Sequence, residues 1–100
     1  MHKQIKINSD TWIVQAPHLL TTELDGETVL MSLAQAAYYG LDSTAQRIWD
    51  LIAQPQRVAN LCETLIAEYA VSRQTCQGQV CAFLTELHKE GLVHITERPG

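Results

Sequence analysis

The stretch Ala37-Tyr38-Tyr39-Gly40-Leu41-Asp42-Ser43-Thr44-Ala45-Gln46-Arg47-Ile48-Trp49-Asp50-Leu51-Ile52 changes its period in the middle. Before Asp42 it is a short aromatic strand. After it, Ala45, Ile48, Trp49 and Ile52 recur at the three- and four-residue spacing of an amphipathic helix. Asp42 or Ser43 can cap that helix, and Ser43 with Gln46 fits a capping box. Pro55 disfavours helical geometry at Gln54, so the helix ends before it. A strand running without a linker into a helix sets a sheet directly beside a helical layer.

Upstream, residues 19–24 and 27–33 flank Asp25-Gly26, a two-residue signal for a type I′ hairpin because both positions tolerate positive φ. Alternation then predicts that Leu20, Thr22, Val29, Met31 and Leu33 share the core face, with Leu19, Thr21, Glu23, Thr28 and Ser32 mostly on the other. A second turn through Ala34 and Gln35 brings residues 36–41 alongside, with Tyr39 and Leu41 expected on the core side. Nearer the N-terminus, residues 3–7 and 11–15 read as extended segments around Asn8-Ser9-Asp10, whose small polar side chains favour a turn.

Downstream, a second helix over about residues 57–69 carries Val58, Leu61, Leu65, Ile66 and Tyr69 on one stripe. A third starts after Ser72, a natural N-cap, places Cys76, Val80, Phe83, Leu84 and Leu87 on one face, and stops at Gly91. Residues 92–96 can add a closing strand. The predicted class is α+β and winged helix-turn-helix-like: an N-terminal three-stranded antiparallel sheet followed by three helices. Residues 1–16 are expected to be an N-terminal extension forming an added strand or hairpin, and residues 17–97 the principal domain.

One hundred residues with 46% apolar and 18% charged side chains suit one small globular domain. No apolar run reaches the length of a signal peptide or a membrane span, so no membrane association and a cytoplasmic location are expected. Cys62, Cys76 and Cys81 form an odd set without a Cys-x-x-Cys pair, which reads as buried or half-buried free thiols rather than a zinc site. Net charge is −4 and the seven Lys and Arg residues are scattered, a poor footprint for nucleic acid.

Catalytic chemistry has no residues to rest on, and no cofactor is expected. His2, His18, His88 and His94 show no spacing for a metal or an acid-base pair. The five glycines are isolated, so no phosphate loop is present. Asp42, Asp50, Glu63, Glu68, Glu86 and Glu90 alternate with apolar residues as a solvated helical face does.

What the arrangement offers is binding by backbone. The last strand of an antiparallel meander has an outer edge whose N–H and C=O groups can pair with an extended peptide. Residues 36–41 contain no charge, no proline and two alanines, so nothing in them blocks that edge. A helix or the N-terminal strand could still cover it.

The ordered set Glu23-Leu24-Asp25-Gly26-Glu27-Thr28-Val29-Leu30, Tyr38-Tyr39-Gly40-Leu41-Asp42-Ser43-Thr44-Ala45 and Ile48-Trp49, with Phe83-Leu84, Leu87 and Gly91-Leu92-Val93 downstream, resembles the PqqD-like family of RiPP recognition elements. The similarity runs over about residues 17–96. It implies a non-catalytic peptide chaperone that binds the leader segment of a ribosomally made precursor peptide as an added strand, then presents it to a maturation enzyme. By position, the strand contacts would be Ala36, Ala37, Tyr38, Tyr39, Gly40 and Leu41, mostly through main-chain hydrogen bonds. The facing helix would contribute Cys76, Gln79, Val80, Phe83 and Leu84 as apolar pockets.

As a free-standing domain the chain is most similar to the discrete recognition proteins of lasso-peptide pathways, whose usual partner is a separate leader peptidase. The PQQ-type variant, which serves a radical SAM enzyme, is the near alternative. A winged-helix DNA-binding regulator is the reading from a different class, opposed by Glu86 and Glu90 on a third helix whose only cations are Arg73 and Lys89.

Overall fold

The computed structural model describes residues 6–33 and 36–97. Its elements are β1 (Trp12–Gln15), β2 (Leu20–Leu24), β3 (Glu27–Ser32), β4 (Ala37–Leu41), α1 (Ser43–Leu51), β5 (Gln56–Arg57), α2 (Val58–Glu68), α3 (Arg73–Lys89) and β6 (Val93–Thr96). The strands make two antiparallel sheets, ordered β2-β3-β4 and β5-β1-β6. The class is α+β, a three-stranded meander followed by three helices in a winged-helix-like arrangement. Positions 3–5 of the first expected strand and the expected turn at Ala34 and Gln35 lie outside the described residues.

The meander forms as its turn chemistry dictates. Asp25 and Gly26 have φ of 54° and 82°, the left-handed pair that a type I′ turn needs. Leu30 pairs with Tyr39, and Thr28 with Leu41. Directly opposed residues share a face, so Tyr39 and Leu41 lie with Leu30 and Thr28 rather than with Val29 and Met31. The buried face of β2 and β3 is therefore the opposite of the expected one: Leu30 and Ser32 are buried, whereas Leu20, Leu24 and Leu33 are exposed; Leu41 is buried and Tyr39 half-buried on the core side, as expected. The core face carries Leu30 between Thr28 and Ser32, with Thr21 and Glu23 of β2 beside them, and so reads as the more polar side, which is why alternation alone selected the other. Val29, on the central strand between Thr22 and Gly40, is buried as well.

Each helix end has an identifiable partner. The Asp42 carboxylate accepts from the Ala45 N–H at 2.8 Å, making Asp42 the cap of α1. Gln46 donates to the Asp50 carboxylate at 2.8 Å instead of closing a capping box with Ser43. Ser72 caps α3 by accepting from the Thr75 N–H, and Gly91 takes φ of 73° just after that helix. No side chain caps α2. Its first N–H groups, on Val58 and Ala59, donate to the backbone carbonyls of Thr11 and Ser9, each at 2.9 Å.

That contact makes the N-terminal segment part of the fold. Asn8 shapes the turn before β1 by accepting from the Asp10 N–H through its side chain and from the Thr11 N–H through its backbone carbonyl. β1 then inserts between β5 and β6, pairing Trp12 through Gln15 with Thr96 through Val93. The Gln15 N–H donates to the Ile52 carbonyl and its side-chain amide to the Trp49 carbonyl, which ties β1 to the end of α1. Residues 6 and 7 are not in a strand, but Ile7 is buried in the core.

One core joins the layers, with Ile13, Leu30, Leu41, Ile52, Leu61 and Leu84 among its buried residues. Cys62 on α2 and Cys76 on α3 are free and buried there, and Cys81 is free and half-buried. Burial, reinforced by the neighbouring Cys76, pushes the Cys62 thiol up to about 12, and burial also raises Cys81. At the surface, Arg47 on α1 holds Glu68 on α2 with two hydrogen bonds of 2.9 and 2.6 Å. Arg73 at the start of α3 pairs with Glu63 on α2. Each arginine holds its carboxylate below the usual range.

Ile13 is fully buried at the junction of β5, β1 and β6. Replacing it with alanine should lower unfolding free energy by about 2–5 kcal/mol, read from urea denaturation; a loss well under 1 kcal/mol would show that β1 is an appendage. Between roughly pH 8.5, where an unfolded thiol ionises, and the folded value near 12, the native state binds more protons than the unfolded one. Stability is then full below that window and falls as pH rises through it. The urea midpoint should drop between pH 7.5 and pH 10 by more in the wild-type chain than in a Cys62→Ala variant.

Candidate peptide-binding groove and strand edge

β4 follows β3 directly and leads into α1 through the capping residue Asp42. Among the described residues β4 pairs only with β3, and β1, which could have covered its outer edge, is held in the other sheet. In an antiparallel strand, alternate residues turn their N–H and C=O groups away from the neighbour. The outer row of β4 is accordingly unpaired, an open template for a further strand.

Beside that edge lies a hollow of about 420 Å³ built from all three helices. Asp42, Thr44, Ala45 and Ile48 come from the start of α1 and its cap. Leu65, Tyr69 and Val71 come from the end of α2 and the turn after it, and Cys76, Gln79, Val80 and Phe83 from α3. Tyr39 of β4 meets Phe83 of α3 edge to face, with ring centroids 6.5 Å apart at 62°. This contact joins the strand edge to the groove wall. The ion pairs Arg47–Glu68 and Arg73–Glu63 brace the helices that form the walls.

The expected site residues divide between surface and core. Ala36 is exposed just before β4, with φ of 50°, and the backbone of Ala37 belongs to the strand. Tyr38 is exposed, Tyr39 half-buried, and a Cβ placed on Gly40 would meet nothing within 4 Å. Cys76, Gln79, Val80 and Phe83 are brought together in the groove. Leu41 and Leu84 are not: both side chains are fully buried in the core, while Cys76 and Val80, buried core residues too, floor the groove and exposed Gln79 and half-buried Phe83 stand at its wall. Leu41 keeps its backbone in the edge strand.

Sequence reasoning missed the wall contributed by α1 and α2. Thr44, Ile48, Leu65, Tyr69 and Val71 line the groove, yet the apolar ones read as ordinary core stripe. The available signal was the overhang of Tyr69: α2 ends at Glu68, so the last residue of the stripe stands 40% exposed beyond the helix. On the other side of α1, Thr21, Glu23, Thr28, Gln46 and Asp50 border a second, more polar hollow. Among the described residues there is no cluster of three or more His, Cys, Asp or Glu side chains able to hold a metal. Nor is any helix among them long and apolar enough to cross a membrane.

The comparisons agree with this geometry. A solved structure of TbiB1 in complex with the TbiA(beta) leader peptide matches with a TM-score of 0.72 and 28% identity, over 87% of this chain and 99% of that one. No curated protein matches the sequence. The family model for coenzyme PQQ synthesis protein D, PqqD, matches residues 27–93, which span β3 and β4 of the meander, all three helices and the start of β6. On that match, covering most of its length, this chain belongs to the PqqD family.

Proposed function

We propose that this protein is a non-catalytic chaperone for a ribosomally made precursor peptide. It takes the leader segment as an added strand on β4 and presents it, in the cytoplasm, to a maturation enzyme such as a leader peptidase of a lasso-peptide pathway. The observation that carries this reading is the unpaired outer edge of β4 lying against an apolar groove, in a chain 28% identical to one solved with a leader peptide bound. Main-chain pairing along residues 37–41 supplies register and much of the affinity. Gln79, Val80, Phe83 and Cys76 take the side chains that the added strand turns toward α3, and Tyr38 and Tyr39 flank it from β4. Residues 17–97 act as the binding domain, and the N-terminal extension supports it from the opposite sheet.

The match to PqqD supports a second reading of the partner, a radical SAM enzyme in a PQQ-type pathway. Two observations oppose the DNA-binding alternative. The cations of α3 are both engaged, Arg73 with Glu63 and Lys89 with Glu86 at 4.0 Å, and the chain carries net charge −4.

Proline at position 38 removes an N–H and a strand register position from the edge. Tyr38→Pro should lose leader affinity by at least a hundredfold while far-UV circular dichroism retains its helical signal. An amide NMR titration with the leader half of the precursor encoded beside this chain should shift residues 36–41 and 79–84, and a random DNA duplex should not. Unchanged leader affinity in Tyr38→Pro, or shifts confined to the duplex, would overturn the reading.

A further inference from the structure

The outward face of the β2-β3-β4 sheet carries an exposed apolar row, although Val29, on the same face between Thr22 and Gly40, is buried. Leu20 pairs with Met31 and Met31 with Tyr38, so these three side chains form one row across all three strands, ending at the free edge. Leu20 is 50% and Tyr38 80% exposed. Leu24 at the hairpin, on the same face as Leu20, is 60% exposed, and Leu33 just past β3 is 72% exposed. Four of the five large apolar residues exposed among the described residues thus lie in this one meander. Clustering of that kind, unlike scattered single leucines, marks an interaction surface.

Charge around the patch selects the occupant. Asp25 and Glu27 of the hairpin stand beside the patch, Glu27 opposite Leu24, and residues 19–41 contain no lysine or arginine; Glu23, paired with Thr28, belongs to the other face. Neither hairpin carboxylate makes an ion pair among the described residues; Arg47, Arg57, Arg73 and Lys89 are all paired elsewhere. A symmetric contact between two copies uses the same surface twice, so it would bring no cation to this rim. The fitting partner is a different protein with an apolar patch edged by basic residues.

Position supplies the second argument, and it rests on the leader-binding reading above. A strand added to β4 would extend the Leu20–Met31–Tyr38 row by one residue and leave the whole face uncovered. A protein seated there would touch the bound peptide and its carrier together. We propose that this acid-rimmed sheet face is the docking surface for the enzyme that acts on the presented peptide, which meets it through an apolar patch bordered by lysine or arginine.

The test uses the full chain, the leader peptide and the tailoring or leader-processing enzyme encoded next to it, with calorimetry for each pair. In the Leu20→Thr/Leu24→Thr variant, both sites being exposed strand positions, enzyme affinity should fall at least tenfold and leader affinity should stay within twofold. Neutralising the rim as Asp25→Asn/Glu27→Gln should weaken the enzyme severalfold and flatten the salt dependence of its binding. Enzyme affinity unchanged in both variants overturns the proposal. So does light scattering that shows a wild-type dimer made monomeric by Leu20→Thr/Leu24→Thr, because the occupant would then be a second copy. The two readings fail separately: enzyme binding that depends on this face in a chain that ignores the leader would uphold the docking surface and sink strand addition.

Discussion

The pairing of β1 with β5 and β6 is the constraint on which the rest of the structure depends. Those few residues bury Ile13, bond to the end of α1 through Gln15, and extend a segment whose carbonyls at Ser9 and Thr11 terminate α2. An uncapped helix start beside a core would leave N–H groups without partners, a cost comparable to losing the hydrogen bonds themselves. The chain avoids that cost with backbone instead of a side-chain cap. Because β1 is committed there, it cannot pair with β4.

The open edge of β4 is therefore a consequence of where another strand goes, as well as of its own composition. The groove beside it arises similarly. α3 runs from core to groove: Leu84 and Leu87 close the core, Cys76 and Val80 are buried in it and floor the hollow, and half-buried Phe83 stands at its wall where α2 stops short and α1 begins. Tyr39 stacking edge-on against Phe83 ties the edge to that gap. Ion pairs from α1 and α3 to α2 hold the walls without intruding on the lining. Below the usual carboxylate range the depressed pKa values of Glu63 and Glu68 cease to favour these pairs, so their contribution is present at neutral pH and lost on acidification.

The site was partly legible. Turn chemistry at Asp25-Gly26, the Ser72 cap and the Gly91 stop are local signals, and each appears in the structure with the dihedrals or hydrogen bonds its residue type favours. The helix residues Cys76, Gln79, Val80 and Phe83, placed by family resemblance, do converge on one hollow. Leu41 and Leu84 could not be separated from them, because a groove-facing and a core-facing residue differ by one position in phase on α3 and by nothing in hydrophobicity. The sheet face was misread because Thr21, Glu23, Thr28 and Ser32 mark one side as polar, yet that side, with Leu30 at its centre, is the one the helices cover.

By itself, the sequence determined the order of the meander strands, the three helices and the closing strand, their approximate ends and the Asp25-Gly26 turn, because these depend on neighbours within a few residues: φ preferences, caps and the change of period at Asp42; the short strand β5 carried no such mark. Only the tertiary structure decided which side of the meander is buried, that β1 joins β5 and β6, and which helical residues face a groove. Those outcomes depend on contacts between residues tens of positions apart, such as Thr11 with Val58 and Tyr39 with Phe83. Neither member of such a pair carries a local mark of its partner.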